Sequence, residues 1–345
     1  MEEASRHFKG VMLKSRVKEE MPKNDFIEVV GTTQSLLKNE GEWRDRYAKY
    51  AEKIQDNLDL IRDVRSRFHE WSPLNVYMNI SSAKNARTSV SFELRYLGQT
   101  VAKLVSNRGI GQKLTTKPYD KTNLRDFGCP ICFSNMDWRG DNAKNFRDHF
   151  KTLGALKNES NEEHRLQDLL LTEFSRKTDK TLRHIKPVTI ARTRFPMPTP
   201  ISASDHKQVT YSEAHGGGID ILARTGTGGK THLCILELKD ENTNREPPKD
   251  AMKQAVAYSI FIRELLRSDS GAAWWKLFGF RRNIPKHLEL FAICAMPSGH
   301  NNDYSFRDMK IDMGGDTIKL HYMYFTEENN KIRVDPINTS LGILE

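Results

Sequence analysis

The stretch around residues 232–239 limits this chain more than any other. Leu233 to Leu236 and Leu238 are apolar, and the run closes on Glu237 and Lys239. Short, apolar and free of Gly or Pro, it reads as a strand. Shortly before it, Gly216, Gly217 and Gly218 lead into Asp220, an acid set in a second apolar run that reaches Ala223. Glu237 and Lys239 are two residues apart, so the alternation of a strand puts them on one face. Three charges at the ends of two adjacent apolar strands are costly to desolvate without compensation. A divalent cation supplies it: carboxylates suit Mg²⁺ or Mn²⁺, which bind through one or two of them plus waters and phosphate oxygens. Lys239 is then placed to orient or deprotonate an attacking water, or to offset charge on a phosphate.

The neighbouring segments are regular. Residues 162–174 read as a helix with Leu166, Leu169, Leu170 and Phe174 on one face, followed by strands near 187–191, 218–223 and 232–239. A long amphipathic helix over 248–267 opens with a proline in its first turn and has no interior breaker. Two more apolar strands follow near 288–295 and 318–325. The expected class is α/β, with a mixed central sheet flanked by helices.

This pattern resembles the PD-(D/E)xK, or restriction-endonuclease-like, nuclease superfamily, over roughly residues 162–325. The order helix, three strands, helix, strand is that superfamily's core. Gln254 and Tyr258 are similar to the Gln-x-x-x-Tyr signature of its exonuclease and resolvase-like branches, and Glu163 resembles their first-helix glutamate. Two departures stand out: Ile219 precedes Asp220 where the pattern has proline, and Asp240 and Glu241 follow Lys239 directly.

The resemblance implies a metal-dependent phosphodiesterase, with DNA expected as substrate ahead of RNA. Asp220 and Glu237 would hold Mg²⁺ or Mn²⁺, with the Leu238 carbonyl and Glu163 assisting; Glu162 and Glu173 compete with Glu163. Lys239 would complete the catalytic set. Gln254 and Tyr258, at i and i+4, would meet substrate or support the metal site. A restriction or phage-defence role follows only by analogy. The competing readings are an inactive nuclease fold that binds nucleic acid or a partner protein, and an oligomeric assembly factor.

The first half reads differently, as a separate basic α+β domain over 1–157, with the nuclease-like domain over 158–345 and the boundary near Asn158. Residues 1–25 look loosely structured. A long helix is expected over 42–70, where Tyr47, Ile54, Ile61 and Phe68 recur every seven residues beside Trp43, Tyr50, Asn57, Val64 and Trp71. Such a seam either closes a homodimer or packs on its own domain; Leu58 and Leu60 widen the stripe and favour the second. Strands are expected between 75 and 105, with a turn at Leu97 and Gly98. Residues 106–160 give no clear pattern.

Charge points the same way as the chemistry. Of the net +9, +7 lies in residues 1–155, which suits a polyanionic partner bound by the first half. No apolar run approaches the ~20 residues of a membrane span, and the charged first thirty residues show no secretory signal. Cys129 and Cys132 with Cys234 and Cys294 do not form a disulfide framework. A soluble, cytoplasmic protein without a membrane partner is the expectation.

Three further motifs are read conservatively. Gly226 to Thr231 imitates a phosphate-binding loop, but its first glycine is missing at Arg224 and a strand follows, so a hairpin turn is expected. Cys129 and Cys132 with His149 make half a site for structural Zn²⁺; lacking a fourth ligand, two reduced thiols are expected instead. Trp274 and Trp275, in an expected loop before Arg281 and Arg282, fasten the loop to the core rather than stack on bases. Lys84, Arg87, Lys103 and Arg108 read as scattered surface charge, with a nucleic-acid face as the alternative.

Overall fold

The computed structural model describes residues 24–68, 73–80, 89–116, 134–153, 162–175, 184–204, 208–212, 217–225 and 231–335. The first part of the chain gives α1 (Asn24–Asn39), α2 (Glu42–Asp56), α3 (Leu58–Phe68), β1 (Asn75–Asn79), β2 (Ser89–Tyr96), β3 (Gln99–Asn107), β4 (Gly111–Thr116), β5 (Met136–Asp137) and α4 (Asp141–Thr152). After α5 (Glu162–Ser175) comes a run of short strands: β6 (Lys186–Pro187), β7 (Thr189–Ile190), β8 (Thr193–Arg194), β9 (Met197–Thr199), β10 (Ile201–Ser202), β11 (Thr210–Tyr211) and β12 (Gly217–Ile219). The last part holds β13 (Ile221–Thr225), β14 (His232–Leu238), α6 (Pro248–Arg267), α7 (Gly271–Leu277), β15 (Glu289–Pro297), β16 (Lys310–Met313), β17 (Asp316–Glu328) and β18 (Lys331–Val334).

Two mixed sheets organise this α/β protein. The first has the order β5-β4-β3-β2-β1-β8-β7 and is antiparallel except where β1 meets β8. The second has the order β16-β17-β15-β14-β13-β6, with β18 also on β17. In it β14, β15 and β17 are parallel, while β13 runs antiparallel to both β14 and β6. Parallel neighbours need a crossover, and α6 supplies the one between β14 and β15.

Strand β14 is buried on both faces, which is why it lacks an apolar–polar alternation. Leu233 and Ile235 join a core with Ala255, Val256 and Ile260 of α6, whereas Cys234, Leu236 and Leu238 join one with Leu166, Leu170 and Phe174 of α5. The second sheet is thus the middle of three layers, with α5 on one side and α6 on the other.

Several expectations need correction. The expected helix over 42–70 is two helices, because the Asn57 amide turns back to bond the Lys53 carbonyl (2.8 Å) and the backbone there leaves helical geometry. The heptad residues Trp43, Tyr47, Tyr50, Ile54, Asn57, Ile61 and Val64 are all buried within the chain, so the seam packs on the protein itself. The expected strand at 187–191 divides between sheets: β6 joins the second, and β7 the first. Pro187 has no N–H for a continuing ladder, and Ala191 and Arg192 take positive φ to turn the chain. The run at 218–223 bends at Asp220, with β12 paired to β9 and β13 to β14.

Helix α6 occupies the expected residues and is amphipathic as expected, with its middle buried and its partly exposed charged residues Lys249, Asp250, Lys253, Arg263, Glu264 and Arg267 towards its two ends. Helix α1 packs along it, and Phe261 meets the rings of Trp43 (5.7 Å) and Tyr47 (5.0 Å) of α2. Trp274 and Trp275 lie in α7 rather than a loop. Both are buried: Trp274 Nε1 donates to the Tyr47 carbonyl (3.1 Å), and Trp275 stacks on Phe280 at 3.7 Å. The expected boundary near Asn158 lies outside the described residues, but one buried core runs from Phe26 and Trp43 to Leu320.

Among the described residues, no helix is long and apolar enough to cross a membrane. Cys129, Cys132, Lys84 and Arg87 lie outside the description, as do residues 226–230. The strands flanking the latter pair antiparallel, Thr225 opposite His232, so that segment connects a hairpin. Arg108 is tied to Asp59 (2.7 Å) and to the Asp56 carbonyl, and Lys103 stands exposed on β3.

Candidate active site

The sequence-predicted residues meet where β14 ends. Asp220 sits at the bend between β12 and β13, and its Oδ2 accepts the Leu238 N–H at 2.8 Å. Glu237, one residue from the strand end, faces α6, on the same side as Ile235. Lys239 lies just past the strand, where its N–H still bonds the Ala295 carbonyl (2.9 Å). Its Nζ donates to Glu237 Oε1 at 3.1 Å and lies 4.0 Å from Glu163 Oε2, in the first turn of α5. The expected same-face placement of Glu237 and Lys239 therefore holds, and Glu163 joins them from another element. Its rivals are engaged elsewhere: Glu162 pairs with Arg165, and Glu173 lies buried further along the helix.

Electrostatics set this corner apart. Burial raises Asp220 to about 6, against the Leu238 N–H, Lys239 and a hydrogen bond with the Glu237 carboxyl. Burial and then Asp220 push Glu237 well above the usual carboxylate range, with Lys239 opposing. Burial and Asp220 take Glu163 to about 7, and Asp240 and Glu246 add to the effect. Burial alone would lower Lys239, but Glu237, Glu163 and Asp220 more than offset it and hold it above an ordinary lysine. Three interacting carboxyls thus share one ammonium, and they titrate as a set. Lys239 thus stays charged beside these carboxyls.

Tyr258 of α6 lies beside the site, one helical turn after Gln254. Burial, followed by the Glu237 charge, raises Tyr258 to about 12, and its hydroxyl accepts the Ala203 N–H (3.4 Å). A Cβ on Gly217 would stand 2.9 Å from that hydroxyl, so β12 passes close over Tyr258 because it carries glycine there. Gln254 is 2% exposed, and neither of its amide atoms has a hydrogen-bond partner among the described residues.

Whether these residues suit a divalent cation can be judged from the donors. Among the described residues, buried Glu237 Oε2 meets no donor, and the carboxyls outnumber the nearby ammonium. Both features fit an ion that uses one or two carboxylates and keeps its own waters. Among the described residues, no three His, Cys, Asp or Glu side chains form a ready-made metal group.

Sequence reasoning missed Gln167. Its Nε2 donates to the Asp220 carbonyl, and it stands one turn after Glu163 on α5. That i, i+4 spacing was the available signal, but a polar residue within a helix is no anomaly. No protein-family model, curated protein or solved structure matches this chain.

Proposed function

We propose that this protein is a Mg²⁺- or Mn²⁺-dependent nuclease that hydrolyses phosphodiester bonds, with DNA as its substrate. The observation that carries the reading is the meeting of Asp220, Glu237 and Glu163 around Lys239 at the end of β14, with negative charge in excess. Supporting it, the second sheet takes antiparallel β6, β13 and β14 from between α5 and α6, and then β15 parallel to β14, an arrangement similar to a restriction-endonuclease-like core. The excess of basic residues in the first half suits a polyanion.

Asp220, Glu237 and the Leu238 carbonyl would hold the ion, with Glu163 assisting. A bound Mg²⁺ or Mn²⁺ supplies Lewis acidity and a water of lowered pKa. Asp220 keeps its orientation through the Leu238 N–H, so its carboxylate needs no reorganisation on binding. Lys239 donates to the phosphoryl oxygen on which negative charge grows, and holds a water beside it. Gln254, its amide buried on α6, would support the metal site rather than meet substrate, while Tyr258 supports the floor of the site under Gly217.

One observation favours a second reading, an inactive fold that binds nucleic acid: Lys239 already neutralises Glu237 without any metal. Cleavage of supercoiled plasmid and of linear single- and double-stranded DNA with Mg²⁺ or Mn²⁺ separates the two. The wild type should cut, and Asp220→Ala and Lys239→Ala should each lose on the order of 10²-fold or more. Cutting that survives both substitutions would move the active site elsewhere. A wild type that binds DNA without cutting it would establish the second reading.

A further inference from the structure

Helix α5 does more than present Glu163. Gln167, 8% exposed, donates to the carbonyl of Asp220, the residue at which β12 gives way to β13. The carboxylate of the same residue is held by the Leu238 N–H. Asp220 is therefore gripped from both ends, by β14 through its side chain and by α5 through its peptide. The peptide contact matters because Asp220 sits at a bend, outside the β13–β14 ladder, whose pairing begins at Ile221 and Leu236. Without that donor, only the strand pairing of Ile219 and Ile221 and the Leu238 N–H would fix the Asp220 carboxylate beside Glu237.

The next residue on α5 reaches the other sheet. Asp168, 5% exposed, accepts from the Tyr77 hydroxyl (2.9 Å), from Asn75 Nδ2 (2.9 Å) and from Arg194 Nη1 (2.5 Å). Arg194 also donates to the Tyr77 hydroxyl (2.8 Å) and to Thr172 Oγ1 (3.0 Å). Asn75 and Tyr77 belong to β1 and Arg194 to β8, where the first sheet changes from antiparallel to parallel pairing. A second contact lies one residue from Glu163. Gly98, in the β2–β3 turn at φ +79°, lies so close to α5 that a Cβ would stand 2.2 Å from the His164 carbonyl oxygen.

We infer that Gln167 is a positioning residue for Asp220, and that the buried Asp168–Arg194–Tyr77 network sets this position from the first sheet. The inference rests on the metal-dependent reading of the site. Residues that orient metal-binding side chains are worth ~10–100-fold in metal affinity or activity when lost. The first sheet would in this way govern how well the site at the end of β14 is assembled, without touching it.

The test is Mn²⁺ binding to the intact protein, followed by electron paramagnetic resonance, alongside cleavage at varied Mn²⁺. Gln167→Met keeps the length of the side chain and removes the donor. It should raise the Mn²⁺ dissociation constant roughly 10-fold while cleavage at saturating Mn²⁺ stays within about 3-fold. Tyr77→Phe, which removes only a hydroxyl, should shift Mn²⁺ binding the same way by about 3-fold. The thermal midpoint of metal-free Gln167→Met should stay near that of the wild type, which separates positioning from loss of fold. Mn²⁺ binding lost in Asp220→Ala but unchanged in both Gln167→Met and Tyr77→Phe would overturn the inference and leave the metal site standing. Mn²⁺ binding unchanged in Asp220→Ala would instead remove the metal-dependent reading itself.

Discussion

Asp220 is asked to be stable and charged at once, and the two demands conflict. Its carboxyl, like those of Glu237 and Glu163, is buried beside others of the same sign and has its proton affinity raised. In the unfolded chain these groups ionise near pH 4. Between about pH 4 and pH 7 the metal-free folded state therefore binds more protons than the unfolded one, and stability falls as pH rises. Urea unfolding in EDTA should accordingly show greater stability at pH 5 than at pH 7.5. Asp220→Asn keeps an oxygen for the Leu238 N–H and removes a charge. It should flatten that slope and stabilise the metal-free protein at pH 7.5 by on the order of 1–2 kcal/mol. Equal stability of the wild type at both pH values would mean that the three carboxyls do not share the strain assigned to them. At this scale much was legible in the sequence: a charge inside an apolar strand is an anomaly, which picked out Asp220 and Glu237. Gln167 and Asp168 were not, because polar residues on a helix raise no such flag and their partners are distant in sequence.

Elements were legible wherever a period could be counted. Helix α6 spans the expected residues, and β14, β15 and β17 fall on apolar runs. Strands of two or three residues, β6 to β12, are too short to carry a period, so the exchange between sheets near Val188 left no trace in the pattern. Asn57 broke a helix that the heptad spacing carried straight through, since local side-chain bonding competes with a signal built from apolar positions. How elements are fastened was equally hidden. Asp316, at the start of β17, accepts from Arg263 (2.8 Å) and Arg267 of α6 and from the Leu288 N–H (2.9 Å) before β15. Burial alone would raise its carboxyl, but Arg267, the Leu288 N–H and Arg263 outweigh that and bring it to about 2. The stabilisation is thus complete above about pH 4 and drains away as pH falls towards 2, the opposite sign to the Asp220 corner. Asp316→Ala should cost about 2 kcal/mol at neutral pH and markedly less at pH 2.5. Denaturant midpoints at the two pH values measure this, and a pH-independent loss would assign the effect to packing instead.

At the scale of the whole molecule, alternation and periodicity located two bodies of secondary structure but not the contact between them. An amphipathic pattern shows that a face is buried without naming what buries it. Here the aromatic face of α2 lies on α6 and α7, with Tyr47 between Phe261 and Trp274, and β1 pairs directly with β8 across the expected boundary. Residues 158–345 on their own would expose Phe261, Trp274 and the side of α6 now covered by α1, leaving apolar helix surface in water. Losing the contact of a single buried aromatic costs about 3–5 kcal/mol, comparable with the ~5–15 kcal/mol by which a folded protein is stable. A fragment of residues 158–345 should therefore keep its helix and strand signal in far-ultraviolet circular dichroism but lose near-ultraviolet signal, bind a hydrophobic dye and melt without cooperativity. Adding a separately produced fragment of residues 1–157 should restore the cooperative transition, because the lost contacts lie on surfaces the two fragments share. If the isolated fragment instead melts cooperatively at the midpoint of the whole chain, the shared aromatic packing contributes little, and the two parts fold as independent domains. The coupling assigned to Gln167 and Asp168 would then have to be carried by β1, β8 and α5 alone.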